Sequence, residues 1–181
     1  LAQQLTIPSE VAAEYITQFF ARYSGVKQWD ETTITDARVN GYVTTLFSRI
    51  RYLPEINSPN ANLRSFAERT AINTPVQGTA ADIIKLAMLK IHQYITPTHI
   101  SPYKGEKKEG VDSRITVLPY QRMRLLLQGH DELVFEIAVS ELNQIAQQIK
   151  HIMETVVELS IPLVAEVKSG PNWNDMEKLN I

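Results

Sequence analysis

Cysteine is absent from the 181 residues of the chain. Its absence excludes disulfides, zinc sites with cysteine ligands and thiol catalysis, and it fits a reducing compartment. Long apolar runs are absent too, since none approaches the roughly 20 residues that a membrane-spanning helix needs, and no signal peptide is recognisable. We therefore expect no membrane partner. Apolar residues still make up 44% of the chain, which is enough for a sizeable core.

An excess of positive charge is also missing. The chain has 18 Lys and Arg against 20 Asp and Glu, a formal net charge of −2. Domains that bind nucleic acid are commonly basic, so any such surface on this protein must be local.

An initiating methionine is missing as well. The chain starts in mid-pattern with Leu1-Ala2-Gln3-Gln4-Leu5. We expect a fragment whose upstream part is absent.

The first third of the chain predicts two helices and a strand. Apolar residues at helical spacing favour a helix from Ser9 to about Tyr23, which Ser24-Gly25 would end. A second helix is expected over 27–38, and residues 42–46 are typical of a strand. Residues 57–60 form a loop and a candidate boundary.

The middle of the chain predicts two helical segments, 63–74 and 79–95. Pro75 should kink or break the helix between them, because proline lacks the N–H that a helix needs. Residues 97–115 are polar and rich in turn-forming residues, so we expect an exposed loop or insertion.

The last third predicts a β-hairpin followed by a helix. Two short apolar runs, 123–127 and 133–137, flank a polar turn. An amphipathic helix over 142–157 and a last strand over 162–167 complete an α+β fold.

The turn of the predicted hairpin carries the clearest chemistry. Its residues are Gln128-Gly129-His130-Asp131-Glu132, and carboxylate oxygens are the natural ligands of Mg²⁺. Polar residues at hairpin turns are nevertheless common for backbone reasons. A two-metal site also needs a further carboxylate, so this turn alone does not establish catalysis.

A second polar feature consists of Arg69, Asn73 and Gln77, each four residues apart. On a continuous helix they would share a face and offer donors to base edges and sugar-phosphate groups. Arg49, Arg51 and Arg64 would add positive charge nearby. A solvated helix face explains the same pattern equally simply.

Taken together, these motifs resemble family A DNA polymerases of the bacterial polymerase I type. The segments that carry the resemblance, in the family's order and approximate spacing, are 42–47, 51–54, 67–69, 71–85, 128–136 and 170–173. The turn at His130-Asp131-Glu132 resembles the family's third polymerase motif. The resemblance covers nearly the whole chain except residues 97–115.

The resemblance implies a role for each part. Residues 1–58 would be the distal fingers subdomain and residues 59–181 the C-terminal part of the palm. Asp131 and Glu132 would be catalytic and would bind Mg²⁺, two ions in the complete enzyme. The expected contacts to primer-template DNA are Arg69, Asn73, Gln77, His130, Gln128 and Arg64.

The implied reaction is template-directed transfer of deoxynucleotides to a primer 3′-hydroxyl. The partners would be primer-template DNA, deoxynucleoside triphosphates and the upstream remainder of the polymerase. The resemblance also implies a monomer in the cytoplasm, associated with the nucleoid. Because the family's first motif, its other metal-binding Asp and its nucleotide-binding fingers helix are missing, we expect the chain alone to be inactive.

Four positions depart from the family's usual pattern. Ser48 and Lys168 stand where glycine is common, Ile50 interrupts an arginine run, and Gly129 replaces a valine. Gly129 lies beside the catalytic turn, but its side chain is not a ligand.

Two other functions remain open from the sequence. One is a non-catalytic module that binds DNA or protein. The other is a metal phosphohydrolase of the His-Asp type using His130-Asp131 with His92 and His99, which would require a helix at 125–135.

Overall fold

The computed structural model describes residues 2–95 and 123–181, so the predicted loop at 97–115 and His99 lie outside it. The chain packs into two compact units, Leu1–Thr79 and Ala80–Ile181. This division falls inside a long helix and not at the predicted boundary near residue 58. The assignment of fingers and palm subdomains stays a prediction.

Three helices open the first unit: α1 (Ala2–Leu5), α2 (Ser9–Arg22) and α3 (Ser24–Asn40). Ser24-Gly25 was expected to separate the two longer helices, but it begins α3. The break lies at Tyr23, which leaves the helical region with φ −113° and ψ 58°. Gly41 ends α3 in the left-handed conformation that glycine adopts without strain, and its N–H donates to the carbonyl of Ala37 at 2.8 Å.

An antiparallel pair follows, β1 (Tyr42–Thr44) and β2 (Ile50–Tyr52). The predicted strand over 42–46 is therefore shorter, and β2 was not anticipated. The tight turn between them has a hydrogen bond from Ser48 N–H to the carbonyl of Thr45 at 2.9 Å. Ser48 adopts φ 63°, which explains why glycine is the expected residue there.

Helix α4 (Ala61–Ile95) is continuous, so the predicted break at Pro75 is wrong. Asn60 caps its start, because its side-chain oxygen accepts the N–H of Asn62 at 2.9 Å. Helical hydrogen bonds on both sides of Pro75 and packing of the buried Ala71 outweigh the one donor that proline lacks.

The core of the first unit joins α3, the β1–β2 pair and α4. Its buried side chains are Ala37, Val43, Leu53, Ile56, Ala67 and Ala71. Three of the six are alanines, Ala37 of α3 and Ala67 and Ala71 of α4. Beside this core, Arg38 of α3 donates to Glu68 of α4 at 2.6 Å.

The second unit contains the hairpin and the amphipathic helix that the sequence predicts. Strands β3 (Met123–Gly129) and β4 (Glu132–Ile137) pair antiparallel, and a 3-10 turn at Val139–Glu141 leads into α5 (Leu142–Thr155). The buried residues of its core are Ile91, Met123, Ile145 and Ile149. The hairpin tip is thus anchored by core residues at the opposite end of β3.

The predicted strand over 162–167 is wrong. The short strands are β5 (Lys168–Ser169) and β6 (Glu177–Lys178), which pair antiparallel. Within the predicted segment the N–H of Ala165 donates to the carboxylate of Glu154 at 3.0 Å, a partner outside any strand.

Two carboxyl groups near this C-terminal pair have lowered pKa values. A hydrogen bond and the positive charge of Lys178, with a smaller effect of Lys168, lower the pKa of Glu166. Hydrogen bonds from Asn172 and Asn174 lower the pKa of Asp175. Both carboxylates therefore stay ionised to lower pH than free ones do.

The α+β class predicted from the sequence is confirmed by this mixture of helices and antiparallel pairs. In the described residues no helix is long and apolar enough to cross a membrane.

Candidate active site and nucleic-acid interface

The hairpin tip is a two-residue loop, His130-Asp131, closed by the pair Gly129 and Glu132. His130 adopts φ 49°, a positive value that the first residue of a favoured two-residue hairpin turn requires. The side-chain amide of Gln128 donates to the carbonyl of His130 at 2.8 Å. This hydrogen bond fixes the turn and gives Gln128 a structural role.

The carboxylates of Asp131 and Glu132 point away from the core, and both residues are exposed. Within residues 2–95 and 123–181, neither has a hydrogen bond or ion pair, unlike Glu166 and Asp175. Carboxylates without protein partners suit Mg²⁺, which keeps water and phosphate oxygens as its other ligands.

The tip is not a complete metal site by itself. In the described part of the chain, no group of three or more His, Asp or Glu side chains could hold a metal ion. Reasoning from the sequence had already required a further carboxylate.

A β-bulge lies in β3 close to the tip, and no sequence pattern had predicted it. The register shifts between Leu125 and Leu127, so Leu126 has no partner on β4. Bulges bend a strand and change the direction of its side chains. Leu126 is 59% exposed, and its neighbours Leu125 and Leu127 are exposed as well.

The polar stripe of the first unit lies on one uninterrupted helix. Arg69, Asn73 and Gln77 are all exposed on α4, and their spacing of four residues places them on one side. Arg69 also donates to the hydroxyl of Ser65 at 2.9 Å. Arg64 is half-buried and donates to the carbonyl of Ser58 at 2.9 Å, which ties the preceding loop to the helix.

Beside this stripe is a cleft of about 340 Å³ between the β1–β2 pair and α4, here called the hairpin–helix cleft. Its lining residues are Arg49, Arg51, Thr70, Asn73, Thr74, Gln77 and Gly78. The sequence had suggested Arg49 and Arg51 only as nearby positive charge, and it had missed Thr70, Thr74 and Gly78. These three residues have small, uncharged side chains, so no pattern of charge in the sequence could have identified them as lining a cleft.

The hairpin tip belongs to the second unit, and the stripe and cleft belong to the first. The His-Asp phosphohydrolase hypothesis is wrong, because β3 and β4 flank His130-Asp131 where it requires a helix.

Comparison with known proteins identifies the class. The model of the family described as DNA polymerase family A matches residues 1–175. The chain belongs to DNA polymerase family A.

Curated relatives agree with this family. The chain is 42% identical over 175 residues to DNA polymerase I of Geobacillus stearothermophilus, covering 97% of this chain and 18% of the relative. It is 40% identical over 173 residues to DNA polymerase I of Caldicellulosiruptor bescii, covering 96% of this chain and 18% of the relative. The chain thus spans less than a fifth of the length of these relatives.

A solved structure is also similar: the POL domain of Pol1 from M. smegmatis in complex with DNA primer-template and dNTP. The TM-score is 0.73 at 38% identity, and the match covers 90% of this chain and 25% of that one.

The departure at Gly129 has little structural consequence. A Cβ built on Gly129 would meet no atom within 4 Å, and its φ is not positive. A larger side chain would therefore fit, and glycine is not required there.

Proposed function

We propose that this chain is the C-terminal part of a DNA-directed DNA polymerase. In the complete enzyme a primer 3′-hydroxyl attacks the α-phosphorus of a deoxynucleoside triphosphate, and pyrophosphate leaves. The observation that carries the proposal is the hairpin tip, where two exposed carboxylates with no hydrogen-bond or ion-pair partner among the described residues lie on a two-residue turn. Family membership over residues 1–175 supports it.

Asp131 and Glu132 would hold Mg²⁺, and their donor set fits this ion, since it consists of hard carboxylate oxygens. When bound, Mg²⁺ would lower the pKa of the attacking hydroxyl and neutralise charge on the triphosphate. The chain's own contribution is to fix the two carboxylates through the turn and the hydrogen bond from Gln128. The further carboxylate would come from the upstream remainder of the polymerase, so the isolated chain would be inactive.

Primer-template DNA would lie along the exposed polar side of α4. Arg69, Asn73 and Gln77 supply donors for the minor-groove side and the backbone, and His130 would contact the primer terminus. Gln128 and Arg64 remain proposed DNA contacts, although each already makes a structural hydrogen bond. The similar M. smegmatis structure, described as a complex with primer-template and dNTP, supports these partners.

A graft tests the proposal. Residues 1–175 would replace the matching 175 residues of the Geobacillus stearothermophilus polymerase, to which they are 42% identical. We expect the graft to extend a primer and the isolated chain not to. Asp131→Asn in the graft should slow extension about a thousandfold or more, because metal-ion stabilisation of the transition state is worth several kcal/mol. Primer-template affinity should change little.

Asp36→Asn is the matched control, since Asp36 is an exposed aspartate on α3, and it should leave extension unchanged. Near-normal extension by the Asp131→Asn graft would remove Asp131 from the site. A folded graft that binds primer-template but never extends it would favour the non-catalytic binding module. Robust extension by the isolated 181 residues would contradict the predicted inactivity.

A further inference from the structure

At Gly78, helix α4 lies in close contact with the turn between β1 and β2. A Cβ built on Gly78 would lie 2.6 Å from Cγ2 of Thr45, a separation that real Cβ atoms do not show. Thr45 is only 4% exposed, so its methyl group has little room to move. Any side chain at position 78 would push the turn away from the helix.

Two hydrogen bonds cross the same contact. The guanidinium of Arg49 donates to the carbonyl of Gly78 at 3.0 Å, and the N–H of Leu46 donates to the hydroxyl of Thr79 at 2.9 Å. Together with the close approach of Thr45, these bonds form what is here called the turn–helix contact. The contact fixes the start of β2 relative to α4.

The turn is itself rigid. The N–H of Thr45 donates to the carbonyl of Arg49 at 3.0 Å, and the N–H of Arg49 donates to the hydroxyl of Thr45 at 3.2 Å. A displacement at Gly78 would therefore carry the whole turn and the first residues of β2 with it.

The turn–helix contact forms one wall of the hairpin–helix cleft. Arg49 and Arg51 are two positions apart on extended chain, so they share a side, and both line the cleft with Asn73 and Gln77 of α4. None of its described lining residues is acidic. Two guanidinium groups and two amides line this concave surface. They suit a sugar-phosphate backbone, because phosphate oxygens accept from both kinds of group. The hydroxyls of Thr70 and Thr74 donate to helix carbonyls instead, at 2.9 and 2.7 Å.

We propose that Gly78 is a positioning residue for nucleic-acid binding. Because Gly78 has no side chain, the β1–β2 turn packs directly against α4. This packing holds Arg49 and Arg51 across from Asn73 and Gln77. The cleft so formed binds the sugar-phosphate backbone of one DNA strand. The inference rests on the proposed function, since it takes primer-template DNA as the partner.

The test measures binding of a labelled primer-template duplex to the 181-residue chain at several salt concentrations. Gly78→Ala should weaken binding about tenfold and reduce the slope of log affinity against log salt by about one to two, because each lost phosphate contact removes about one released counterion. A role in folding alone would lower the melting temperature without a specific change in that slope.

Gly25→Ala is the matched control. Gly25 lies in α3, and a Cβ there would meet nothing within 4 Å. Both substitutions place alanine in a helix, but only the Cβ at position 78 is crowded, by Cγ2 of Thr45 at 2.6 Å and by the guanidinium of Arg49 at 3.2 Å. Gly25→Ala should leave affinity and slope unchanged.

The second-site variant Thr45→Ser/Gly78→Ala provides a rescue. Serine keeps the hydroxyl that accepts from Arg49 but lacks the Cγ2 methyl that the new Cβ would meet. The double variant should regain most of the lost affinity. Failure of this rescue, with Thr45→Ser alone binding normally, would overturn the proposal.

Arg51→Gln tests the phosphate contact without touching the turn. It should weaken binding and reduce the salt slope by about one, with an unchanged melting temperature, whereas Arg22→Gln on α2 should do neither. The Arg51→Gln variant tests whether the cleft binds phosphate even if Gly78→Ala fails to fold.

The outcomes separate the two proposals. If the unaltered chain binds DNA and both Gly78→Ala and Arg51→Gln bind it equally well, the inference about the cleft is wrong and the proposed function survives. If the unaltered chain does not bind primer-template, the nucleic-acid partner is removed from both.

Discussion

At the scale of single residues, two of the three described residues other than glycine with left-handed backbone lie at or beside the proposed sites, and the third is Thr6 with φ 55°. Ser48 has φ 63° in the turn beside the hairpin–helix cleft, and His130 has φ 49° at the hairpin tip. An L residue in this conformation costs about 1–2 kcal/mol relative to glycine. Strain of this kind tends to persist at functional sites. The family resemblance drew attention to both positions, Ser48 as a departure from a common glycine and His130 as part of the hairpin turn. The φ angle of neither residue could be predicted from the sequence alone.

Ser48→Gly should stabilise the protein. Glycine removes the left-handed strain but adds flexibility to the unfolded chain, which offsets part of the gain, so we expect a net increase of about 0.5 kcal/mol in the free energy of unfolding. Urea denaturation measures it as a higher midpoint. Ser24→Gly, at the start of α3 where φ is negative, should lower the midpoint. A lower midpoint for Ser48→Gly would show that φ at this position is not strained.

At the scale of secondary-structure elements, the spacing of apolar residues predicted those helices and strands that pack an apolar side against the core. The β3–β4 hairpin and α5 were predictable because each buries an apolar side against the same core. The strand β2 was not, because it is only three residues long and all three are exposed. The segment 162–167 has an apolar pattern but no partner strand among the described residues, although the carbonyl of Val167 accepts the N–H of Leu179 at 2.8 Å. Pattern alone cannot supply that partner.

Helix α4 is the element where a local rule failed most clearly, and it makes a prediction of its own. Pro75 has no N–H to donate to the carbonyl of Ala71, four residues earlier. Pro75→Ala restores this hydrogen bond, and after the added freedom of the unfolded chain the gain should be about 1–2 kcal/mol. Thermal unfolding followed by circular dichroism measures it as a higher Tm.

Pro59→Ala is the control for this substitution. Pro59 lies in the loop before α4, where alanine adds only unfolded-chain freedom, so a slightly lower Tm is expected. If Pro75→Ala also lowers the Tm, packing of the proline ring contributes more than the missing hydrogen bond.

At the scale of the whole molecule, net charge conceals how charge is distributed. The chain carries −2 overall, yet the described lining of the hairpin–helix cleft is purely basic and neutral. The sequence therefore predicted that any nucleic-acid surface had to be local, and it offered the stripe on α4 as a candidate, which stays a prediction. It could not find the cleft, because that depends on how closely the β1–β2 turn approaches Gly78.

Carboxyl groups with lowered pKa values are also distributed unevenly between the two units, and their distribution leads to a prediction on pH. The two described carboxyl groups with lowered pKa values, Glu166 and Asp175, both belong to the second unit. A lowered pKa in the folded state means that the ionised group stabilises folding above its unfolded pKa, about 4.5 for Glu166 and 3.8 for Asp175. This stabilisation is lost as pH falls through the lower folded values.

The two tryptophans report on the units separately, since Trp29 lies in the first and Trp173 in the second, between Asn172 and Asn174. With Trp29→Phe, we expect Trp173 fluorescence to change reversibly as pH falls below about 4. With Trp173→Phe, Trp29 should stay constant over the same range. Glu166→Gln and Asp175→Asn should remove most of the Trp173 transition, because neither amide titrates. An unchanged transition in the double variant would assign the acid sensitivity to other carboxylates.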